Sequence, residues 1–326
     1  MNHLENLTQW TTKSTVEIVG HSIDVHGNEV VSAILTYPLI IHAEVMTHRM
    51  FSRNAASARA IPGAKYRNTV KEGPFIPYAL QKKHSGMQGS GYLPEDSYRS
   101  AVEFWIDCME YSVKIANYMD KAFDVTKQIT NRMLAPYSWM RLLVTTGKEG
   151  LENFFELRCH EDAEIHIMEL AHNLKKEYDK SVPKKLGFGE WHIPFQEDIE
   201  RMMEGYYSEM PESETKDSDY LQLMIEVAVG MAARTSYTLL PEEKDWRVYK
   251  RVHDKMLEMK PFHASPFEHV LQAFGEQEYY TWGKMLGLDD KGQQIIEYGW
   301  CDNFRGFRTY RNILEAEWKQ KLTTQS

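Results

Sequence analysis

The longest uninterrupted periodic stretch of the chain, residues 97–123, sets the first limit on its fold. Val102, Trp105, Ile106, Met109, Val113, Ile115 and Met119 recur at three- and four-residue steps, the spacing of one face of an amphipathic helix. Two β-rich runs, 16–19 and 30–35, flank His26-Gly27-Asn28, which suits a hairpin turn. Long helices beside short paired strands predict an α/β (α+β) chain in which a small mixed or antiparallel sheet packs with long helices.

Other segments fit that scheme. Pro38 opens a helical pattern carried by Leu39, Ile40, Ala43, Met46 and Met50. Helices are predicted over 125–134, 161–180, 219–231 and 243–259. Residues 61–96, rich in Gly, Lys, Pro and Ser, read as a long irregular excursion. A length of 326 residues suggests two domains or one large one at ~150 residues per domain. Residues 182–218, broken by Pro183, Pro194 and Pro211, read as a linker between a first part, 1–181, and a second, 219–326.

Composition narrows the function. With 47 acidic against 38 basic side chains the formal charge is −9, which opposes general duplex binding because that draws on a basic face to displace counterions. No window approaches the ~20 apolar residues of a membrane helix. The first residues lack the basic and apolar regions of a secretory signal. The three cysteines, Cys108, Cys159 and Cys301, have no CxxC spacing and fit a reducing compartment. The expectation is a cytoplasmic enzyme that engages neither a membrane nor nucleic acid.

The segment richest in chemistry is 44–59. It packs His48, Arg49, Ser52, Arg53, Asn54, Ser57 and Arg59 into twelve positions directly after apolar residues. A helix leaving the core with such donors is placed to hold a phosphate, since guanidinium forks bind oxyanions in bidentate fashion. The alternative is a helix C-terminus whose basic residues answer the dipole, followed by a polar loop.

His48-Arg49, seven residues and then Ser57-Ala58-Arg59 resembles the Arg-His-Arg-x7-Ser signature of the flavin-dependent thymidylate synthases, with Thr47 where the first arginine usually stands. Asn153-Phe154-Phe155-Glu156-Leu157-Arg158 resembles that family's Asn-Phe-x-x-Leu-Arg, and Arg132, four residues before Pro136, matches the arginine preceding it. Ala233-Arg234-Thr235-Ser236 and His263-Ala264-Ser265-Pro266-Phe267-Glu268-His269 resemble its Ala-Arg-x-Ser and His-x-x-Pro-Phe-Glu-His elements. In compact members these last two blocks lead into the His-Arg-x7-Ser segment; here they follow it by more than 170 residues. A circular permutation accounts for the order, and it requires 266–274 to lie beside 30–37.

The resemblance implies a reaction: methylenetetrahydrofolate gives a one-carbon unit to C5 of a pyrimidine deoxynucleotide monophosphate, most simply dUMP to dTMP. FAD is the cofactor, methylenetetrahydrofolate and NADPH are co-substrates, and the assembly is a homo-oligomer, a tetramer in the family. It also implies roles. Arg158 is the key catalytic residue, its cation favouring the N3-deprotonated uracil and enriching C5. Ser57, Arg59 and Arg132 grip the nucleotide, with Ala58 where a second serine is frequent and Glu44 where a glutamine is common. Thr47, His48, Arg49, Asn153, Ser236, His263 and Ser265 are the positions matched for the flavin.

Other readings compete. Glu164, where relatives tend to have glutamine, offers a carboxylate to the N4 amine of cytosine, so 5-hydroxymethylation of dCMP (or of dUMP) is an alternative. Cys159 is a candidate nucleophile, against the commoner role of a buried thiol. Glu169-Leu170-Ala171-His172 gives one Glu-x-x-His where a dimetal bundle needs two, so no metal is expected. The segment from Phe304 to Arg311 mixes arginine with aromatics, either a base-stacking surface or a packed terminal element.

Overall fold

A computed structural model describes residues 13–83, 91–209, 217–235 and 245–324. The elements run β1 (Thr15–Ile23), β2 (Glu29–Pro38), α1 (His42–Val45), β3 (Ser52–Ala55), α2 (Gly63–Glu72), α3 (Glu95–Phe123) and α4 (Lys127–Thr130). A 3-10 stretch, Asn131–Tyr137, leads into β4 (Trp139–Gly147), α5 (Lys148–Arg158), α6 (Ile165–Lys180), β5 (Lys184–Lys185), β6 (Trp191–His192) and α7 (Gln196–Glu209). Then follow α8 (Asp217–Arg234), α9 (Trp246–Glu258), β7 (Leu271–Ala273), β8 (Gly283–Leu288), β9 (Gln294–Tyr298), β10 (Trp300–Cys301), β11 (Phe304–Arg305), β12 (Phe307–Thr309) and α10 (Tyr310–Thr324).

The predicted hairpin forms because Asp24 organises its turn. Its carboxylate accepts the backbone N–H groups of His26 at 2.9 Å and Asn28 at 2.8 Å, while Gly27 supplies a φ of +84°. The central sheet has the order β3-β4-β2-β1-β5, antiparallel except for the β1–β5 pair, so it is mixed. Strand alternation divides its faces. Val31, Ala33, Leu35 and Tyr37 of β2, with Met140, Leu142 and Val144 of β4, meet Leu151 and Phe154 of α5 and Ile167, Leu170 and Leu174 of α6. On the other face Ile34 and Leu143 meet Ala232 of α8.

That second face carries a polar seam. Ser32 and Thr145 are directly paired across β2 and β4, and their hydroxyls lie 2.6 Å apart. Ser32 also meets Nε2 of His192 at 2.9 Å, and Ser22 meets Nδ1 of the same ring at 2.9 Å. Thr145 meets Nδ1 of His269 at 2.8 Å. Each hydroxyl can pass one hydrogen bond on, so the chain Ser22–His192–Ser32–Thr145–His269 can run in either direction with both imidazoles neutral, and it ends at Nε2 of His269, which is buried with no partner among the described residues. Burial pushes both histidines down to about 3, which agrees with that state. The network ties the residues around His269 to the sheet, and Leu271 and Ala273 beyond it share a buried cluster with Val30.

Two further cores flank the sheet. Ile61, Tyr66 and Val70 pack with Val102, Ile106, Met109, Val113 and Ala116 of α3 and with Leu134. Helices α7, α8, α9 and α10 close around Phe267 and Val270. Gly230 permits the α8–α9 contact: a Cβ there would stand 2.0 Å from the Tyr249 carbonyl oxygen.

Several expectations are corrected. The helix expected after Pro38 is only a 3-10 turn and the four-residue α1, and the polar motif continues as a turn and the strand β3. The 61–96 excursion contains α2, and the 125–134 helix is α4 followed by the 3-10 stretch. The stretch read as a linker carries β5, which pairs with β1, β6, which pairs with β7, and α7. Strand β4 was not anticipated; buried on both faces, its Leu142-Leu143-Val144 run shows no alternation. Among the described residues no helix is long and apolar enough to cross a membrane.

Candidate functional site

Strand β3 and the turn before it collect the motif blocks. The turn is held by Arg53, whose Nη1 donates to the Met46 carbonyl at 2.7 Å. Helix α5 starts close against the turn because Gly150 has no side chain; a Cβ there would lie 3.2 Å from Cβ of Met50 and collide with Thr146. This docking delivers Arg158, at the end of α5, to Glu44, Thr47 and His48. Its Nε–H donates to Nε2 of His48 at 3.0 Å, Nη1 to Glu44 Oε2 at 3.4 Å and Nη2 to the Thr47 hydroxyl at 3.3 Å.

Electrostatics follow from that geometry. His48 is 4% exposed and stacks edge-on against Phe154 at 4.7 Å. Burial, then the cations of Arg158 and Arg53, push its pKa down to about 4. It is therefore neutral at pH 7, and since Nε2 accepts from Arg158 its proton sits on Nδ1. Glu44 has its pKa raised by burial and by the nearby Glu164 carboxylate, with Arg158 opposing both. The Arg158 side chain keeps 21% of its surface exposed and that of Glu44 40%, so a planar ligand can reach both.

The second carboxylate is engaged elsewhere. Glu164 caps α6, accepting the backbone N–H groups of His166 at 2.9 Å and Ile167 at 3.2 Å through Oε2, while Oε1 meets Nδ1 of His166 at 2.6 Å. Burial opposes its ionisation, but these bonds outweigh burial and hold it below the usual carboxylate range. Three of its acceptor positions are thus spent on the first turn of α6.

Asn54, expected as one of a cluster of donors for an anion, is buried and instead joins the distant blocks. Its amide donates to the Ala232 carbonyl, and the Ser265 hydroxyl donates to its Oδ1 at 3.3 Å. Both ends of the reordered motif set therefore converge on one strand. The strand alternates, Ser52 and Asn54 buried and Arg53 and Ala55 half-buried, but its buried residues are polar, so no apolar alternation marked it in the sequence.

Beyond β3, Ser57 is half-buried, Ala58 lies at the turn and Arg59 is exposed. Asn131 donates to the carbonyls of Ala58 at 2.8 Å and Ile61 at 3.1 Å, so the exposed Arg132 begins one residue from that turn. Among the described residues none pairs with the guanidinium groups of Arg49, Arg59 or Arg132. An adjoining cavity of about 180 Å³ is lined by Ala56, Ala58, Tyr66, Tyr137 and Arg141 among others. A polar cavity of about 560 Å³ between β1 and α7 contains no motif residue.

The positions matched for the flavin divide. Arg49, Asn153 and His263 are exposed and offer donors that fit a diphosphate-bearing cofactor. His48 does not fit as a direct ligand, because its ring is buried and Nε2 is occupied. Thr47 is engaged with Arg158, Ser265 with Asn54, and Ser236 lies outside the described residues.

Solved structures that align with about half of the chain include two of one enzyme. A UMP/dUMP methylase PolB from Streptomyces cacaoi bound with 5-Br UMP shows 17% identity and a TM-score of 0.45, over 52% of this chain and 91% of that one. The same enzyme bound with 5-Br dUMP shows 14% and 0.44, over 52% and 92%. No family model and no curated protein matches the chain.

The competing site readings meet specific geometry. The Cys159 thiol is pushed up by burial, away from a reactive thiolate. Glu169 accepts the Ser14 backbone N–H and His172 is exposed on the surface. The carboxylates of Glu226 and Asp254 lie near His253, but Lys250 Nζ already sits 3.2 Å and 2.9 Å from them. In the terminal segment Phe304, Phe307 and Tyr310 are buried, while Arg305, Arg308 and Arg311 pair with Glu297, Glu278 and Glu268 at 2.9, 2.6 and 2.6 Å. That is a packed terminal element; the aromatics that would stack on bases are inside.

Proposed function

We propose that the chain transfers a one-carbon unit from methylenetetrahydrofolate to C5 of a pyrimidine deoxynucleotide monophosphate, with dUMP as substrate and dTMP as product. The observation that carries this reading is the Arg158 guanidinium, partly exposed and gripped by Glu44, Thr47 and His48. A fixed cation beside a uracil edge favours loss of the N3 proton and makes C5 more nucleophilic. Neutral His48 orients the guanidinium without adding a competing charge. Arg59 and Arg132 offer forks for the phosphate, with Ser57 between them and β3. The order of motif blocks supports a permuted relative of the flavin-dependent thymidylate synthases, as does the contact of Leu271 and Ala273 with Val30.

Arg49, Asn153 and His263 would hold FAD, which when bound supplies reducing equivalents drawn from NADPH. A second reading, 5-hydroxymethylation of dCMP, draws on Glu44 for its substrate: a carboxylate beside Arg158 can accept from the N4 amine of cytosine. Incubating the protein with methylenetetrahydrofolate, FAD, NADPH and either nucleotide separates the readings by product mass. A methyl gain on dUMP is expected; a hydroxymethyl gain on dCMP would select the second reading. A protein that binds neither flavin nor nucleotide would end both.

A further inference from the structure

Helix α3 carries two apolar seams. One, Val102, Ile106, Met109, Val113 and Ala116, is buried in the helical core. The other, Phe104, Cys108, Tyr111, Ile115 and Tyr118, steps by four, three, four and three residues, the 3.5-residue repeat of a coiled-coil seam. It faces away from the core, with Phe104 71%, Tyr111 66% and Tyr118 59% exposed. Phe123, 66% exposed, extends it and packs edge-on against Tyr118 at 5.5 Å. Four aromatic rings in a row on one solvent face are far more than scattered surface apolar residues.

We infer that this seam pairs with the same seam of a second copy of the chain, the two α3 helices running antiparallel. Charge placement selects both the occupant and the direction. Along the rim of the seam Asp107 lies in the N-terminal half, and Lys114 and Lys121 lie in the C-terminal half. With Cys108 set against Tyr111 of the second copy, and Phe104 against its Ile115, Asp107 of each copy comes opposite Lys114 of the other. Small also meets large, Ala101 against Tyr118. A parallel pair would instead set Asp107 against Ser112 and Lys114 against Met119, with no charge matched. The exposed rings alone amount to roughly 500 Å² per copy, about 1,000 Å² for the pair, before Cys108, Ile115 and the rim are added. That approaches the ~1,200 Å² at which stable interfaces begin.

Light scattering on the full chain tests it, with circular dichroism to confirm folding. The wild type should have an even number of subunits, and Phe104→Glu/Tyr111→Glu should halve its mass, since both positions face solvent within one copy. Asp107→Lys should weaken association by about tenfold, and adding Lys114→Asp should restore it. In a Cys159→Ser background a short bis-maleimide should join two copies through Cys108. A monomeric wild type, a mass unchanged by the double glutamate variant, or a charge swap that fails to restore association would overturn the inference.

Discussion

Replacing Glu44 by glutamine separates the two nucleotide readings, because the change removes one charge and almost no volume. Its cost to the fold is small. The Glu44–Arg158 contact is 3.4 Å long between side chains 40% and 21% exposed, a geometry worth about 1 kcal/mol or less. The effect on ligands is larger. A carboxylate accepting from a cytosine amine contributes about 1.5–3 kcal/mol, whereas the same carboxylate facing the O4 of uracil repels it. Glutamine can accept from the amine or donate to O4, so Glu44→Gln should move the dCMP/dUMP affinity ratio roughly ten- to hundredfold toward dUMP. Calorimetric titration of each nucleotide into wild type and variant measures the ratio, and a melting curve checks the fold. If both nucleotides bind and the ratio stays within about twofold, Glu44 does not face the pyrimidine and the site as drawn is wrong.

Glu164→Gln provides the contrast: it should weaken the α6 cap and lower stability by ~1–2 kcal/mol in denaturant titration, with the nucleotide ratio unchanged. Arg158→Lys keeps the charge but loses the fork that meets three partners, so turnover should fall at least tenfold while the melting temperature moves little. Thr145→Val breaks the polar chain between Ser32 and His269 and should cost about 1–3 kcal/mol by leaving buried groups unpaired. His48, His192 and His269 titrate lower in the fold, about 4, 3 and 3, than the usual 6.5 of an unfolded chain. Below pH 6.5 the unfolded state therefore binds more protons, and stability should fall on acidification by up to ~1.4 kcal/mol per pH unit for each histidine. Equilibrium unfolding between pH 7 and pH 5 measures that slope; a flat profile would contradict the neutral assignments.

The parts of the molecule legible in its sequence were those whose pattern depends on local spacing. Helix α3 announced itself because the face that packs in the core repeats at three- and four-residue steps, and the β1–β2 hairpin because Asp24 and Gly27 build its turn from adjacent residues. Strand β4 was hidden because both faces are buried, which removes the alternation that marks a strand. Strand β3 was mistaken for helix because its four residues follow a short helical turn and earn their conformation from pairing with β4, a contact across about 90 residues. The grip on Arg158 likewise joins residues more than 100 apart. The motif resemblance matched Glu44 and Arg158 to the nucleotide and Thr47 and His48 to the flavin, and neither it nor periodicity foretold that Arg158 bonds the other three.

Burial then sorts the motif residues by the kind of work each can do. His48 and His269 lie in matched blocks, yet both rings are enclosed, neutral and bonded to the scaffold, so they fix Arg158 and the sheet from within. Arg49, Arg59 and Arg132 sit in or beside those same blocks with their cations turned to solvent, which an anionic ligand can exploit and a packed core cannot. A chain of net charge −9 attracts a nucleotide only where such cations stand away from its carboxylates. The terminal arginines, each already paired with a glutamate, offer no such place. An anionic ligand therefore meets open cations at Arg49, Arg59 and Arg132, whereas the Arg158 guanidinium is held by Glu44, Thr47 and His48.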